Sequence, residues 1–284
     1  MTVLPESAAR IRLVVSDIDG TLVRNDKSLA DETVAAIRRA RAAGIAFTVI
    51  SARPPSGLVD LAGRIEITDE PIGAFNGGAL SRRDGSVIAS HRIPEREARR
   101  AVEMLDAAGV TVWLFAAGKW LAREDADASP HGARERLASG LAPTRVEDFG
   151  PWLAAADKIS GVSDDHPLMR RLEGEVAAEI GADATVVRSQ VYFLDVTARS
   201  ANKGDGVAFL AEAMGVPMAE VAVLGDMPND VPMFLRAGLS VAMGQAPDEV
   251  RRHATLTGAT NEENGVARFL DALVEAQSAA REPA

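Results

Sequence analysis

The apolar positions near the start of the chain predict a strand, a helix and a second strand. Residues 11–16 are a short β-branched run, and residues 31–43 carry apolar side chains at helical spacing before Gly44. Residues 46–50 are continuously apolar, which is typical of a strand buried on both faces. A strand, a helix and a strand within about 40 residues favour a right-handed βαβ unit and therefore a parallel sheet.

The pattern changes after Ser81, where shorter apolar runs alternate with helical segments. Asp84-Gly85 is typical of a hairpin turn between the runs 79–82 and 87–91. The further elements predicted here are helices at 94–108 and 167–180 and strands at 110–115, 120–123, 157–162 and 185–188. Hairpins with two helices predict an α+β module inserted between about residues 83 and 188.

The parallel pattern returns after the insert. The elements predicted there are strands at 191–196, 221–225 and 239–243 and helices at 203–214, 228–236 and 263–276. We therefore predict an α/β fold with a Rossmann-like, doubly wound parallel-sheet core. Residues 1–82 and 189–284 would form the core domain, and residues 83–188 the inserted α+β domain.

Composition and charge remove several classes of function. The 284 residues hold 31 Lys and Arg against 41 Asp and Glu, and this net charge of −10 counts against nucleic-acid binding. Cysteine is absent, which excludes disulfides, thiolate metal sites and cysteine nucleophiles. No apolar run approaches the roughly 20 residues that cross a bilayer, and the first residues do not resemble a signal peptide. We expect a cytoplasmic protein that does not bind membranes.

The strongest chemical signal is Asp17-Ile18-Asp19-Gly20-Thr21-Leu22, directly after the first predicted strand. Ligands of open α/β sheets bind at the carboxyl ends of the strands. Two carboxylates two residues apart can share one side of an extended segment. One could then bind a cation and act as a nucleophile, while the other transfers protons. The alternative is an ordinary surface turn, since Asp-Gly is a common turn pair.

A second acidic cluster, Asp226-Met227-Pro228-Asn229-Asp230, also follows a strand-like run. Carboxylate oxygens are the ligands that Mg²⁺ prefers in proteins. The alternative is that Asp226 or Asn229 caps the N-terminus of the following helix.

Two single residues add weaker signals. Ser51 ends the second predicted strand, where its hydroxyl could hold a phosphoryl oxygen, although a serine there could equally cap a helix. Lys203 opens the helix at 203–214 and could offer a mobile positive charge to a phosphate or a carboxylate. Lysine is scarce in this chain, since only Lys27, Lys119, Lys158 and Lys203 occur.

In chain order, the four signals are Asp17 to Leu22, Ser51, Lys203 and Asp226 to Asp230. Together they resemble the four motifs of the haloacid dehalogenase superfamily. The resemblance is closest to the Cof-type branch of phosphatases, which carry a large α/β cap between the second and third motifs. It extends from about Arg10 to Leu273 and includes Phe75-Asn76-Gly77-Gly78 before the insert. One departure is Ala52 after Ser51, where glycine is commoner in the family.

The resemblance implies a role for each motif residue. Asp17 would be the nucleophile that attacks phosphorus, and Asp19 the general acid and base. Mg²⁺ would be held by the Asp17 carboxylate, the Asp19 carbonyl and Asp226, with Asp230 in or beside the metal shell. The phosphoryl oxygens would be bound by Ser51 and Lys203, with Asn229 touching phosphate or ordering the loop.

The function implied is a Mg²⁺-dependent phosphatase acting on a small phosphorylated metabolite through an aspartyl-phosphate. The insert would be a lid over the substrate, with contact candidates Trp113, Arg123, His131, Arg188 and Gln190. Two alternatives are a phosphotransferase or phosphomutase that uses the same motifs, and a non-enzymatic module that binds a phosphorylated ligand. The non-enzymatic alternative predicts loss of Asp17 or Asp19, and both are present.

Overall fold

The computed structural model describes residues 4–281. The strands in chain order are β1 (Leu13–Ser16), β2 (Ala46–Val49), β3 (Ile72–Ala74), β4 (Ala79–Ser81), β5 (Val87–Ser90), β6 (Thr111–Ala116), β7 (Lys119–Ala122), β8 (Pro143–Arg145), β9 (Ala156–Val162), β10 (Ala184–Gln190), β11 (Phe193–Ala198), β12 (Val221–Gly225), β13 (Leu239–Ala242) and β14 (Leu256–Thr257). The helices are α1 (Asp31–Ala42), α2 (Val59–Arg64), α3 (Glu95–Ala107), α4 (Pro130–Ser139), α5 (His166–Ile180), α6 (Lys203–Ala213), α7 (Val231–Phe234), α8 (Asp248–Arg251) and α9 (Gly265–Arg281). None of these helices is long and apolar enough to cross a membrane.

Contacts between residues divide the described chain into two compact units. The first unit holds the described residues up to Ala52, Asp60–Gly77 and the residues from Lys203 onward. The second unit holds Arg53–Val59 and Gly78–Asn202.

The first unit is built on a parallel sheet with the strand order β14-β13-β12-β1-β2. All its strand pairs are parallel, and β1 lies between β12 and β2. The strands β1, β12 and β13 are buried along their whole length, as their continuous apolar runs require. Helices α1 and α9 contact each other, and the Arg39 guanidinium lies 2.8 Å from the Asp271 carboxylate. This unit confirms the predicted parallel-sheet core.

The second unit holds a mostly antiparallel sheet with the order β10-β11-β9-β6-β7-β8. Helices α3 and α5 pack on one face of this sheet through an apolar core, with residues such as Leu105 and Leu172 against Leu114, Ile159 and Leu194. The hairpin predicted at Asp84-Gly85 is present, since β4 and β5 pair antiparallel on either side of it. An α+β module therefore interrupts the α/β core, as predicted.

One predicted element is placed differently. The apolar pattern predicts residues 191–196 as a strand of the parallel core, but β11 pairs antiparallel with β10 and β9 in the second unit. Val191 and Tyr192, which the apolar pattern counts as strand, form the turn of a β10–β11 hairpin. Residues 189–202 accordingly lie in the second unit, although the boundaries of the functional domains at 82/83 and 188/189 stay a prediction.

Candidate active site

The two acidic motifs meet at the carboxyl ends of neighbouring strands. Ser16, the last residue of β1, pairs with Leu224 of β12, and the Asp17 amide donates to the Leu224 carbonyl at 2.9 Å. Asp17 therefore leaves β1 beside the point where β12 ends and Asp226 begins its loop. Both aspartates are buried, as expected for residues at the carboxyl ends of interior strands rather than in a surface turn.

Lys203 lies between two carboxylates in the interior of the first unit. Its Nζ is 2.5 Å from Asp17 Oδ1 and 2.5 Å from Asp230 Oδ1. Only 1% of the Lys203 surface is exposed, so this ammonium is paired rather than solvated. Residues 186 positions apart in the sequence thus form one buried ion pair.

Asp230 uses its second oxygen to shape the loop that carries Asp226. Asp230 Oδ2 accepts hydrogen bonds from the backbone amides of Asp226 at 2.7 Å and Met227 at 2.8 Å. These are the amides at the start of the short 3₁₀ turn Pro228–Asp230. The loop is therefore held by Asp230, and neither Asp226 nor Asn229 is the N-cap residue of this turn.

The loop after β1 contacts Asp226 through small residues. The Thr21 hydroxyl donates to Asp226 Oδ1 at 3.0 Å. Gly20 has φ +85°, and a Cβ at this position would lie 2.3 Å from Asp226 Oδ2. Only glycine allows both this backbone conformation and this close approach.

Asp19 is positioned differently from the buried aspartates. Its side chain is 37% exposed, and its Oδ1 lies 2.9 Å from the Nζ of Lys27. A partly exposed carboxylate can exchange protons with solvent, which suits a general acid and base better than a buried one. Lys27 lies outside the motifs, so its contact with Asp19 could not be read from motif spacing.

Burial and mutual repulsion disfavour the charged forms of the buried acids. Burial raises the pKa of Asp17 to about 7, with a further rise from Asp230 and opposition from Lys203. Burial and the Asp230 charge together raise the pKa of Asp226 to about 6. Burial alone would lower the pKa of Lys203, but Asp17 and Asp230 outweigh it and raise that pKa. The ammonium is therefore firmly charged, and the carboxylates carry more negative charge than it balances.

The donor set fits a divalent cation. One carboxylate oxygen each from Asp17, Asp226 and Asp230 lies within 4.8 Å of the others. Mg²⁺ prefers hard oxygen donors with an excess of negative charge. A bound dication would favour the ionised forms of these acids, which burial and mutual repulsion otherwise disfavour.

The remaining predicted residues lie around this cluster in the first unit. Ser51 is buried, its amide donates to the Gly73 carbonyl at 2.9 Å, and its own carbonyl accepts from the Asn76 amide at 2.7 Å. Asn229 is exposed, and its Nδ2 donates to Asn76 Oδ1 at 3.3 Å. Asn76 has φ 56°, a left-handed conformation that asparagine tolerates. The pair Asn76-Gly77 is the sequence signal that could have suggested this turn.

The five candidates for substrate contact in the insert have separate structural roles. Trp113 is buried and donates to Glu124 at 3.3 Å, and Arg123 is paired with Asp106. Arg188 is held 2.8 Å from Glu173, His131 lies 2.8 Å from Asp164, and Gln190 ends β10 at the surface. Contact of these five residues with substrate stays a prediction.

Comparison with known proteins agrees with the geometry. The family model described as haloacid dehalogenase-like hydrolase matches residues 14–270. A Haemophilus influenzae protein is 30% identical over 277 residues, covering 92% of this chain and 97% of its own length. A 5-amino-6-(5-phospho-D-ribitylamino)uracil phosphatase of Bacillus subtilis is 26% identical over 292 residues, covering 95% of this chain and 100% of its own.

The fold is also similar to that of solved structures. A haloacid dehalogenase-like hydrolase from Bacteroides thetaiotaomicron superposes with a TM-score of 0.82 at 25% identity, covering 92% of this chain and 98% of its own. A family match over most of the chain, around paired aspartates at the ends of β1 and β12, gives one conclusion. The chain belongs to the haloacid dehalogenase-like hydrolase family and is a phosphoric monoester hydrolase.

Proposed function

We propose that this phosphatase is Mg²⁺-dependent and hydrolyses a small-metabolite phosphomonoester, either a sugar phosphate or a phosphorylated cofactor, through an aspartyl-phosphate. The observation that carries the proposal is the contact of Asp17 with the buried Lys203, beside Asp226 and Asp230. It combines a nucleophile, a fixed positive charge and a set of metal-binding oxygens.

Asp17 is the nucleophile in this proposal. One of its carboxylate oxygens forms a bond to phosphorus while the bond from phosphorus to the leaving oxygen breaks. The Lys203 ammonium, 2.5 Å from Asp17 Oδ1, fixes the orientation of the carboxylate. Because Lys203 is buried and firmly charged, it also stabilises the negative charge on the phosphoryl oxygens.

Asp19 is the general acid and base. It gives its proton to the leaving oxygen and then takes a proton from the water that cleaves the aspartyl-phosphate, which releases phosphate and restores Asp17. Its partial exposure supports this role, because the carboxyl group must gain and lose a proton in each cycle.

Asp17, Asp226 and the Asp19 carbonyl are the groups that we assign to the metal. When bound to these groups, Mg²⁺ would neutralise charge on the phosphoryl group and would favour the ionised form of Asp17. Asp230 acts beside the metal, because its oxygens already contact Lys203 and the amides of the 226–227 loop. Ser51 and Asn229 complete the phosphate site, and Asn76 holds the Asn229 side chain.

The substrate class has support from a relative. The Bacillus subtilis relative is named for a phosphorylated ribityl compound, which is a small metabolite with a polyhydroxylated chain. The role of the insert as a substrate lid, the cytoplasmic location and the absence of nucleic-acid or membrane partners remain predictions from the sequence.

Phosphate release in the presence and absence of metal tests this proposal. The full chain is assayed with p-nitrophenyl phosphate and a panel of sugar phosphates and phosphorylated cofactors. We expect EDTA to lower turnover by about 100-fold or more and added Mg²⁺ to restore it, since the charge balance of the site depends on the dication. Turnover that is unchanged after metal removal would contradict the metal assignment.

A further inference from the structure

A tight turn shortly after the first acidic motif holds a lysine in an unusual backbone conformation. The Arg24 amide donates to the Ser28 carbonyl at 2.9 Å, and the Lys27 amide donates to the Arg24 carbonyl at 2.9 Å. Lys27 ends the loop of this turn with φ 68°, a left-handed conformation for which glycine is the usual residue. A residue with a Cβ is strained there, and such strain often marks a residue whose side chain has a function.

The Lys27 side chain extends from this turn to Asp19. Its Nζ lies 2.9 Å from Asp19 Oδ1. The two side chains are 60% and 37% exposed, and an ion pair this exposed adds little to stability. Stability therefore does not account for the strained backbone at Lys27, whereas a role at Asp19 does.

A segment just before α9 fixes the turn to the rest of the first unit. Asn261 is buried, and its Nδ2 donates to the Val23 carbonyl and to Asn25 Oδ1, both at 3.1 Å. Glu262 Oε1 accepts a hydrogen bond from the Asn25 amide at 2.8 Å. The backbone from which the Lys27 side chain starts is therefore anchored, although the side chain itself is exposed.

The contact distinguishes the two carboxyl oxygens of Asp19. An ammonium group donates hydrogen bonds and accepts none, so Oδ1 cannot carry a proton toward Lys27 while it accepts from Nζ. The proton that Asp19 transfers is then carried by Oδ2. Holding Oδ1 also restricts rotation of the carboxyl group, and a general acid works best when its proton is held within hydrogen-bond reach of the leaving oxygen.

From this geometry we propose that Lys27 is a positioning residue for Asp19, which it holds through Oδ1 so that Oδ2 transfers the proton. The inference rests on the proposed function, in which Asp19 is the general acid and base. Oδ2 gives its proton to the leaving oxygen as the bond from phosphorus to that oxygen breaks, and Oδ2 then takes a proton from the water that cleaves the aspartyl-phosphate. Lys27 keeps its own protons in both steps.

Two aryl phosphates test this role, because they differ in their need for an acid. The leaving group of p-nitrophenyl phosphate is stabilised by its nitro group, whereas the phenol released from phenyl phosphate is about as weak an acid as tyrosine, with a pKa of about 10. The measured quantity is kcat/KM with Mg²⁺, since it reports the attack on the phosphomonoester. We expect Lys27→Gly to lower kcat/KM by about tenfold or more for phenyl phosphate and by about threefold or less for p-nitrophenyl phosphate.

Glu66→Gly is the matched control for this variant. Glu66 also has a left-handed backbone in the first unit, with φ 58°, and an exposed ion pair, with Arg38 at 2.6 Å. Both glycine variants should unfold at the urea concentration of the wild type or above it, since each relieves the same strain. Glu66→Gly should leave both kcat/KM values unchanged. Lys27→Arg keeps a positive donor and should retain at least about a third of the kcat/KM for phenyl phosphate.

A folded Lys27→Gly variant that lowers both kcat/KM values equally, or lowers neither, would overturn the positioning role. Asp19→Asn separates this result from a failure of the proposed function, because it should itself lower kcat/KM more for phenyl phosphate than for p-nitrophenyl phosphate. If Asp19→Asn shows this difference and Lys27→Gly does not, only the role of Lys27 is refuted. If Asp19→Asn shows no such difference, Asp19 is not the general acid, and the proposed function fails at this residue together with the inference.

Discussion

At the scale of single residues, the position of each acid relative to the strands decides its chemistry. Asp17 and Asp226 could be predicted as a pair, because each directly follows a buried strand and such ends meet at one edge of a parallel sheet. The contact between Lys203 and Asp230 could not, because the two residues are brought together by the packing of α6 against α7. The salt bridge of Lys27 to Asp19 depends in the same way on a loop whose path the sequence leaves open.

Gly20 provides a residue-scale prediction, with Gly44 as its matched control. Both have a left-handed backbone, with φ +85° and +88°, but a Cβ would meet Asp226 at Gly20 and nothing within 4 Å at Gly44. Each change to alanine should lower the free energy of unfolding by about 1 kcal/mol through backbone strain. Gly20→Ala should in addition raise the Mg²⁺ concentration for half-maximal activity by about fivefold or more, because it displaces a metal ligand.

Metal titrations of phosphatase activity and urea unfolding of both variants check this. An equal Mg²⁺ requirement in Gly20→Ala and Gly44→Ala would show that the close approach to Asp226 has no role in metal binding.

At the scale of elements, the sequence pattern locates strands better than it locates turns. The strands β1, β2 and β12 agree with the predicted apolar runs to within two residues at each end, since both faces of each strand are buried. The prediction of a parallel-core strand at 191–196 was wrong, because Val191 and Tyr192 carry apolar or aromatic side chains in the turn of the β10–β11 hairpin. Hydrophobicity alone does not distinguish such a turn from a strand, and the chain here lacks the Gly or Asn that usually marks one.

Strand β9 carries a half-buried acid that makes stability depend on pH. Burial raises the pKa of Asp157 to about 6 from 3.8, and Arg92 opposes the shift. The folded protein then binds more protons at this group than the unfolded chain, so its contribution to stability falls as pH rises from about 4 to 6. Asp157→Asn should therefore raise the free energy of unfolding at pH 7.5 by about 1 to 3 kcal/mol, with little effect near pH 4.

Denaturant unfolding at several pH values measures this effect. Asp183→Asn is the control, because Asp183 is exposed in the same unit and its substitution should change stability by less than about 0.5 kcal/mol. A stabilisation by Asp157→Asn that is the same at pH 4 and pH 7.5 would contradict the burial argument.

At the scale of the whole molecule, the order of motifs along the chain predicted both the fold class and the family. A parallel sheet interrupted by an α+β module is a topology that the sequence indicates, because the period of apolar positions changes at the insert. The burial of Lys158, Glu135 and Asp195 could not be predicted from the sequence. Nothing in their sequence context separates them from solvated surface residues, and only the fold shows that all three are buried in the second unit.

The central claim is that Asp17 attacks phosphorus, and the turnover of p-nitrophenyl phosphate by Asp17→Asn tests it most directly. The amide keeps the shape of the side chain but cannot form the aspartyl-phosphate, so we expect turnover to fall by about 1,000-fold or more. Asp60→Asn, an exposed change on α2, should retain wild-type activity and serves as the control. Retention of more than about 3% of wild-type turnover by a folded Asp17→Asn variant would contradict the assignment of Asp17 as the nucleophile.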